Sequence, residues 1–125
     1  MSGLTLDAGA LIAFERADRF VTGLVRTALD HQIRLAVPAG VVGQVWRNGR
    51  KQARLASLLG SPLVEMEPLD DAAARRAGQL CGVAGTRDVI DASVVLCARR
   101  RGHSIVTSDG DDLRRLDRSV VLVEV

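Results

Sequence analysis

The chain has 125 residues, 47% of them apolar and 26% charged, with a formal net charge of +2. That length accommodates one domain, residues 1–125, and the composition excludes disorder, collagen-like repeats and a disulfide scaffold. No apolar run approaches the length of a spanning helix, and MSGLTLDAGA has no basic flank ahead of an apolar stretch. Neither a membrane segment nor a signal peptide is therefore expected. Cys81 and Cys97 are too few for a metal knuckle and fall in segments of helical pattern. They are expected to be buried, reduced thiols, as suits a cytoplasmic protein.

In chain order, Leu4 to Leu6 is a short apolar run followed by helical spacing over Asp7 to Arg16. Phe20, Val21, Leu24, Val25, Ala28 and Leu29 predict an amphipathic helix, with the stripe turned to the core. Ile33 to Val37 predicts a strand stopped by Pro38, and Val41 to Trp46 a helix closed by Asn48-Gly49. Arg50 to Leu59 predicts a further helix and Leu63 to Met66 a strand. Asp70 or Asp71 caps a helix through Leu80, broken by Gly82 and Gly85. Asp88 to Arg101 is the longest helical pattern, followed by a strand at Ser104 to Thr107, a short helix at Asp111 to Leu116 and a strand at Val120 to Val123. This alternation predicts an α/β fold with a mainly parallel sheet of about five strands, covered by helices on both faces.

In an open parallel sheet, ligands bind beyond the carboxyl ends of the strands. Asp7 directly follows the first predicted strand, and Asp109 follows the fourth in Thr107-Ser108-Asp109-Gly110-Asp111-Asp112. Asp88 and Asp91 share one face of the first turn of a long, otherwise apolar helix. Each acid alone has an ordinary explanation as a cap, a dipole partner or a turn residue. Together they would repel by about 4 kcal/mol per pair at 4 Å and an effective dielectric of 20, so convergence implies protonation or a bridging cation. Oxygen-only donors favour Mg²⁺ or Mn²⁺ over zinc. His31 and His103 precede strands and fall at the opposite sheet end.

These residues resemble the PIN-domain family, in its VapC toxin branch, over the whole chain. The resemblance rests on Leu4-Thr5-Leu6-Asp7-Ala8-Gly9-Ala10-Leu11, Asp88-Val89-Ile90-Asp91-Ala92-Ser93 and Thr107-Ser108-Asp109-Gly110-Asp111-Asp112-Leu113, in that order. It implies a Mg²⁺- or Mn²⁺-dependent endoribonuclease, a homodimeric toxin neutralised by a VapB-type antitoxin. Asp7, Asp91 and Asp109 would be the metal-binding carboxylates and Asp88 a further acid, while Asp112 either joins them or supports the turn. One position departs from the family: Val42-Gly43-Gln44-Val45-Trp46-Arg47 has Gln44 where a Glu is usual. Glutamine offers an oxygen but neither negative charge nor a basic site.

The alternative is thus a catalytically weak or inactive PIN-like module that binds an antitoxin or RNA. Arg47 and Arg50, with Lys51 and Arg54, form a basic run that is either a solvated face or an RNA-binding one. The only aromatics are Phe14, Phe20 and Trp46, which argues against a base-stacking platform and for contacts through arginine and phosphate. A phosphoacceptor receiver domain is set aside, because the strand taken as central ends in Met66-Glu67-Pro68 and the single lysine falls in a helix.

Overall fold

The computed structural model describes residues 3–125. Five strands, β1 (Leu4–Leu6), β2 (Leu35–Pro38), β3 (Val64–Glu67), β4 (Ser104–Thr107) and β5 (Leu122–Glu124), form one sheet in the order β3-β2-β1-β4-β5. Every pairing is parallel. The register aligns Thr5 with Ala36 and Ile105, Ala36 with Glu65, and Ile105 with Leu122. Two residues further along, Asp7 falls at the carboxyl end of the middle strand, level with Thr107 at the end of β4.

The helices are α1 (Ala8–Glu15), α2 (Arg19–Asp30), α3 (Ala39–Val45), α4 (Ala53–Leu59), α5 (Asp71–Ala84), α6 (Val89–Arg101) and α7 (Gly110–Leu116), with a 3₁₀ turn at Gly49–Lys51. Right-handed crossovers from β1 to β2 to β3 place α1 to α4 on one face. The return from β3 to β4 and on to β5 places α5 to α7 on the other. The packing follows this division, with α1 against α2, α3 and α4, and α6 against α5 and α7. The direction of winding reverses between β1 and β4, where an open parallel sheet forms its crevice. The core is aliphatic, with Leu4, Leu6, Leu11, Val37, Val94 and Ile105 all buried. No described helix is long and apolar enough to cross a membrane.

Several expectations are corrected. The segment from Met66 is not central: β3 is an edge strand, and the central strand ends in Asp7. Lys51 lies in the 3₁₀ turn rather than in a long helix, because Gln52 interrupts the segment. The buried Gln52 accepts from the backbone N–H groups of Arg47 (2.8 Å) and Asn48 (2.9 Å) and donates to the Val45 carbonyl (2.9 Å). A side chain so engaged satisfies the loop's backbone in place of a continued helix. Helix α5 passes through Gly82 and stops only at Gly85, whose φ of 75° ends it in the left-handed conformation. At 14 residues α5 exceeds the 13 of α6. Within α2, Val21, Val25 and Ala28 are buried, but Phe20 is 56% exposed. Both cysteines are buried and unpaired.

Candidate functional site

Asp7 leaves β1 and caps α1, its Oδ1 accepting from the Ala10 N–H at 2.9 Å. The residue is only 4% exposed. Burial raises its pKa above the usual carboxylate range, opposed by the Thr107 hydroxyl and by the Ala10 N–H, while the nearby Asp109 charge raises it further. Thr107, fully buried at the end of β4, also accepts from the Asp109 backbone N–H at 2.8 Å. One hydroxyl therefore ties together the acidic turns that follow β1 and β4. Reading the sequence missed Thr107; its only signal is a hydroxyl closing the apolar strand Ser-Ile-Val-Thr.

Across the crevice, Asp88 caps α6, its Oδ1 accepting from the Asp91 N–H at 2.9 Å. Asp91 is half-buried, and its pKa is pushed up to about 7. Burial is the main cause, followed by the charge and hydrogen-bonding reach of Asp88 and the charges of Asp112 and Asp7. Asp109 precedes α7 without spending its carboxylate on the helix amides. With Ser108, Gly110, Asp111, Asp112 and Glu124 it lines a polar hollow of about 320 Å³.

The carboxylates of Asp7, Asp88, Asp91, Asp109 and Asp112 are thus electrostatically linked at one sheet end. None forms an ion pair with the sixteen arginines or the lysine among the described residues, whereas Glu65, Glu67, Asp111, Asp117 and Glu124 all do. Their chemistry fits a hard cation: oxygen donors only, with mutual repulsion that a positive charge would relieve. No three of the described His, Cys, Asp or Glu side chains are, however, arranged as a metal-holding group.

Gln44 is exposed on α3, and neither it, Arg47 nor Arg50 bonds to these carboxylates among the described residues. Arg47 instead donates to the carbonyls of Gly43 and Trp46 at 3.1 and 2.8 Å, closing the end of α3. His103 bonds the Thr5 hydroxyl at 3.1 Å and His31 the Thr27 carbonyl at 2.9 Å, so both rings are engaged away from the acids.

Asp91 gives a signed pH dependence. Its folded pKa lies above its unfolded value, so the fold is favoured at low pH and loses stability as pH rises from about 4 through about 7. Asp91→Asn removes that slope. Allowing for solvent screening of a half-exposed group, the variant is expected to gain about 1 kcal/mol at pH 8, a few degrees in Tm, and to match the wild type at pH 4. Thermal melts across that range check it.

The PIN domain family model matches residues 4–119. No curated protein sequence matches the chain significantly. Among solved structures, Mycobacterium tuberculosis VapC20, a sarcin-ricin-loop-cleaving toxin, superimposes with a TM-score of 0.71 at 18% identity, covering 98% of each chain. Rickettsia felis VapBC2, solved on a DNA fragment from its promoter, gives 0.70 at 13% identity, also over 98% of each chain. FitAcB from Neisseria gonorrhoeae gives 0.63 at 18% identity, over 97% of this chain and 96% of that one.

Proposed function

The chain belongs to the PIN domain family, and from that premise we propose that it is a VapC-type toxin: a Mg²⁺- or Mn²⁺-dependent endoribonuclease of the cytoplasm, homodimeric and neutralised by a VapB-type antitoxin. The observation that carries the reading is the set of carboxylates without arginine partners at the β1–β4 switch point, where Asp91 is pushed up to about 7. The fold likeness to a sarcin-ricin-loop-cleaving toxin and to toxin–antitoxin assemblies supports the substrate and the partner.

Asp7, Asp91 and Asp109 would hold the cation, with Asp88 beside them. A bound divalent ion supplies an activated water and offsets charge growing on the scissile phosphate. The protein's own contribution is placement. Thr107 holds the Asp7 and Asp109 turns together, the α1 cap fixes the Asp7 carboxylate, and Asp88 sets the first turn of α6 so that Asp91 faces the crevice.

The test is incubation of total cellular RNA with the purified protein and Mg²⁺, Mn²⁺ or EDTA. Discrete cuts that require metal support the reading; intact RNA from folded, antitoxin-free protein contradicts it. Gln44 favours the second reading, a weak or inactive module binding antitoxin or RNA. Gln44→Glu restores a negative charge on α3 and is expected to raise cleavage by about tenfold or more if that charge is what the protein lacks. An unchanged rate shows that Gln44 is tolerated.

A further inference from the structure

Residues 31–64 contain no Asp or Glu but carry Arg34, Arg47, Arg50, Lys51 and Arg54, together with the chain's single tryptophan. In the fold this stretch supplies α3, the 3₁₀ turn and α4. Trp46 is 38% exposed, and its indole lies against the turn: a Cβ on Gly49 would stand 2.8 Å from Trp46 Cζ2. The indole borders an open, mainly apolar groove of about 570 Å³, with Val42, Gly43, Ala56, Leu59 and Gly60. The loop holding it is fixed by Gln52 through Val45, Arg47 and Asn48, and by the Arg47 guanidinium on the Trp46 carbonyl.

The turn against which the indole rests presents exposed Arg50 and Lys51, neither of which forms an ion pair among the described residues. Arg54, by contrast, is occupied over the Phe14 ring and on the Phe14 carbonyl. A fixed, half-open indole beside free cations, on a stretch of chain without acids, combines what a single strand requires: a face for a base and charges for the adjoining phosphates.

We propose that Trp46 is a base-stacking subsite for single-stranded RNA, with Arg50 and Lys51 contacting the flanking phosphates. This rests on the ribonuclease reading and extends it to substrate positioning away from the carboxylates. The scarce aromatics argue against a platform of several stacked rings; this subsite needs one indole only. The seven residues of α3 span about 10 Å from the strand end near the carboxylates to Trp46.

Because the chain has one tryptophan and no tyrosine, its intrinsic fluorescence reports Trp46 alone. The experiment titrates a short, end-labelled single-stranded RNA of mixed sequence into the Asp91→Asn protein, following indole emission and label anisotropy together. Saturable indole quenching that tracks anisotropy is expected. Trp46→Ala should weaken binding about tenfold and Trp46→Phe less than about threefold. Arg50→Ala and Lys51→Ala should each lower the salt slope by about 0.7. Anisotropy that rises without quenching overturns the proposal and leaves the ribonuclease reading intact, as does absent binding alongside RNA cleavage by the wild type. Emission that shifts with protein concentration before RNA is added assigns the face to a protein contact and also overturns it. Absent binding and absent cleavage overturn both.

Discussion

Asp7→Asn is expected to lower metal-dependent RNA cleavage by about 10²–10⁴-fold while leaving the fold intact or slightly more stable. Asparagine caps helices as well as aspartate does, so the bond from the Ala10 N–H, now 2.9 Å, has a replacement acceptor. The substitution removes a buried carboxylate whose charged form burial and Asp109 both disfavour. Cleavage should therefore fall as Tm holds or rises, a combination that loss of structure cannot produce. Parallel measurement of Tm and of initial cleavage rate checks it. A rate within a factor of about three of wild type would remove Asp7 from the chemistry.

Gly9→Ala carries the second large effect. A Cβ at Gly9 would stand 2.0 Å from Ser108 Oγ, 3.0 Å from Ser108 Cβ and 3.2 Å from the Ser108 backbone nitrogen. The hydroxyl can rotate away, but the backbone and Cβ contacts remain, so the two acidic turns must separate by some tenths of an ångström. These turns carry Asp7 and Asp109, and misplacement on the scale of an ångström costs about 10²-fold in rate. We expect Gly9→Ala to lose about 10- to 100-fold in cleavage with only a modest fall in Tm. Ser108→Gly, which removes the Cβ in the way, should recover part of the rate in the double variant. A Gly9→Ala rate equal to that of the wild type would show that the turns tolerate the displacement, and a lost rate that the double variant does not recover would show that the loss does not arise at this contact.

Much of this architecture was legible in the residues because its signals are local. The strand-then-Asp pattern at Leu4 to Asp7 and the helical pattern from Asp88 to Arg101 depend on neighbours in sequence. So do the paired acids at the start of α6. Strand order is not local, which is why β3 was misplaced at the centre although its residues were recognised as a strand. The Gln52 clamp was hidden because a glutamine after Arg50-Lys51 looks like ordinary helix; only the three backbone groups it satisfies reveal its function. Thr107 and Gly9 became visible for the same reason. Each acts on a partner that the sheet brings to it, Thr107 on Asp7 and Gly9 on Ser108, about a hundred positions away.

The claim on which everything else depends is that the carboxylates at the β1–β4 crevice hold a divalent cation. Calorimetric titration of Mn²⁺ into the wild type and Asp91→Asn at pH 6.5 and 8.5 addresses it directly. Because Asp91 is pushed up to about 7, binding to the wild type should release up to about one proton at pH 6.5 and almost none at pH 8.5. Affinity should rise with pH, and the variant should bind at least about tenfold more weakly. No heat and no change in Tm at millimolar Mn²⁺ or Mg²⁺ at either pH would contradict the account, leaving the acids as helix caps and turn residues.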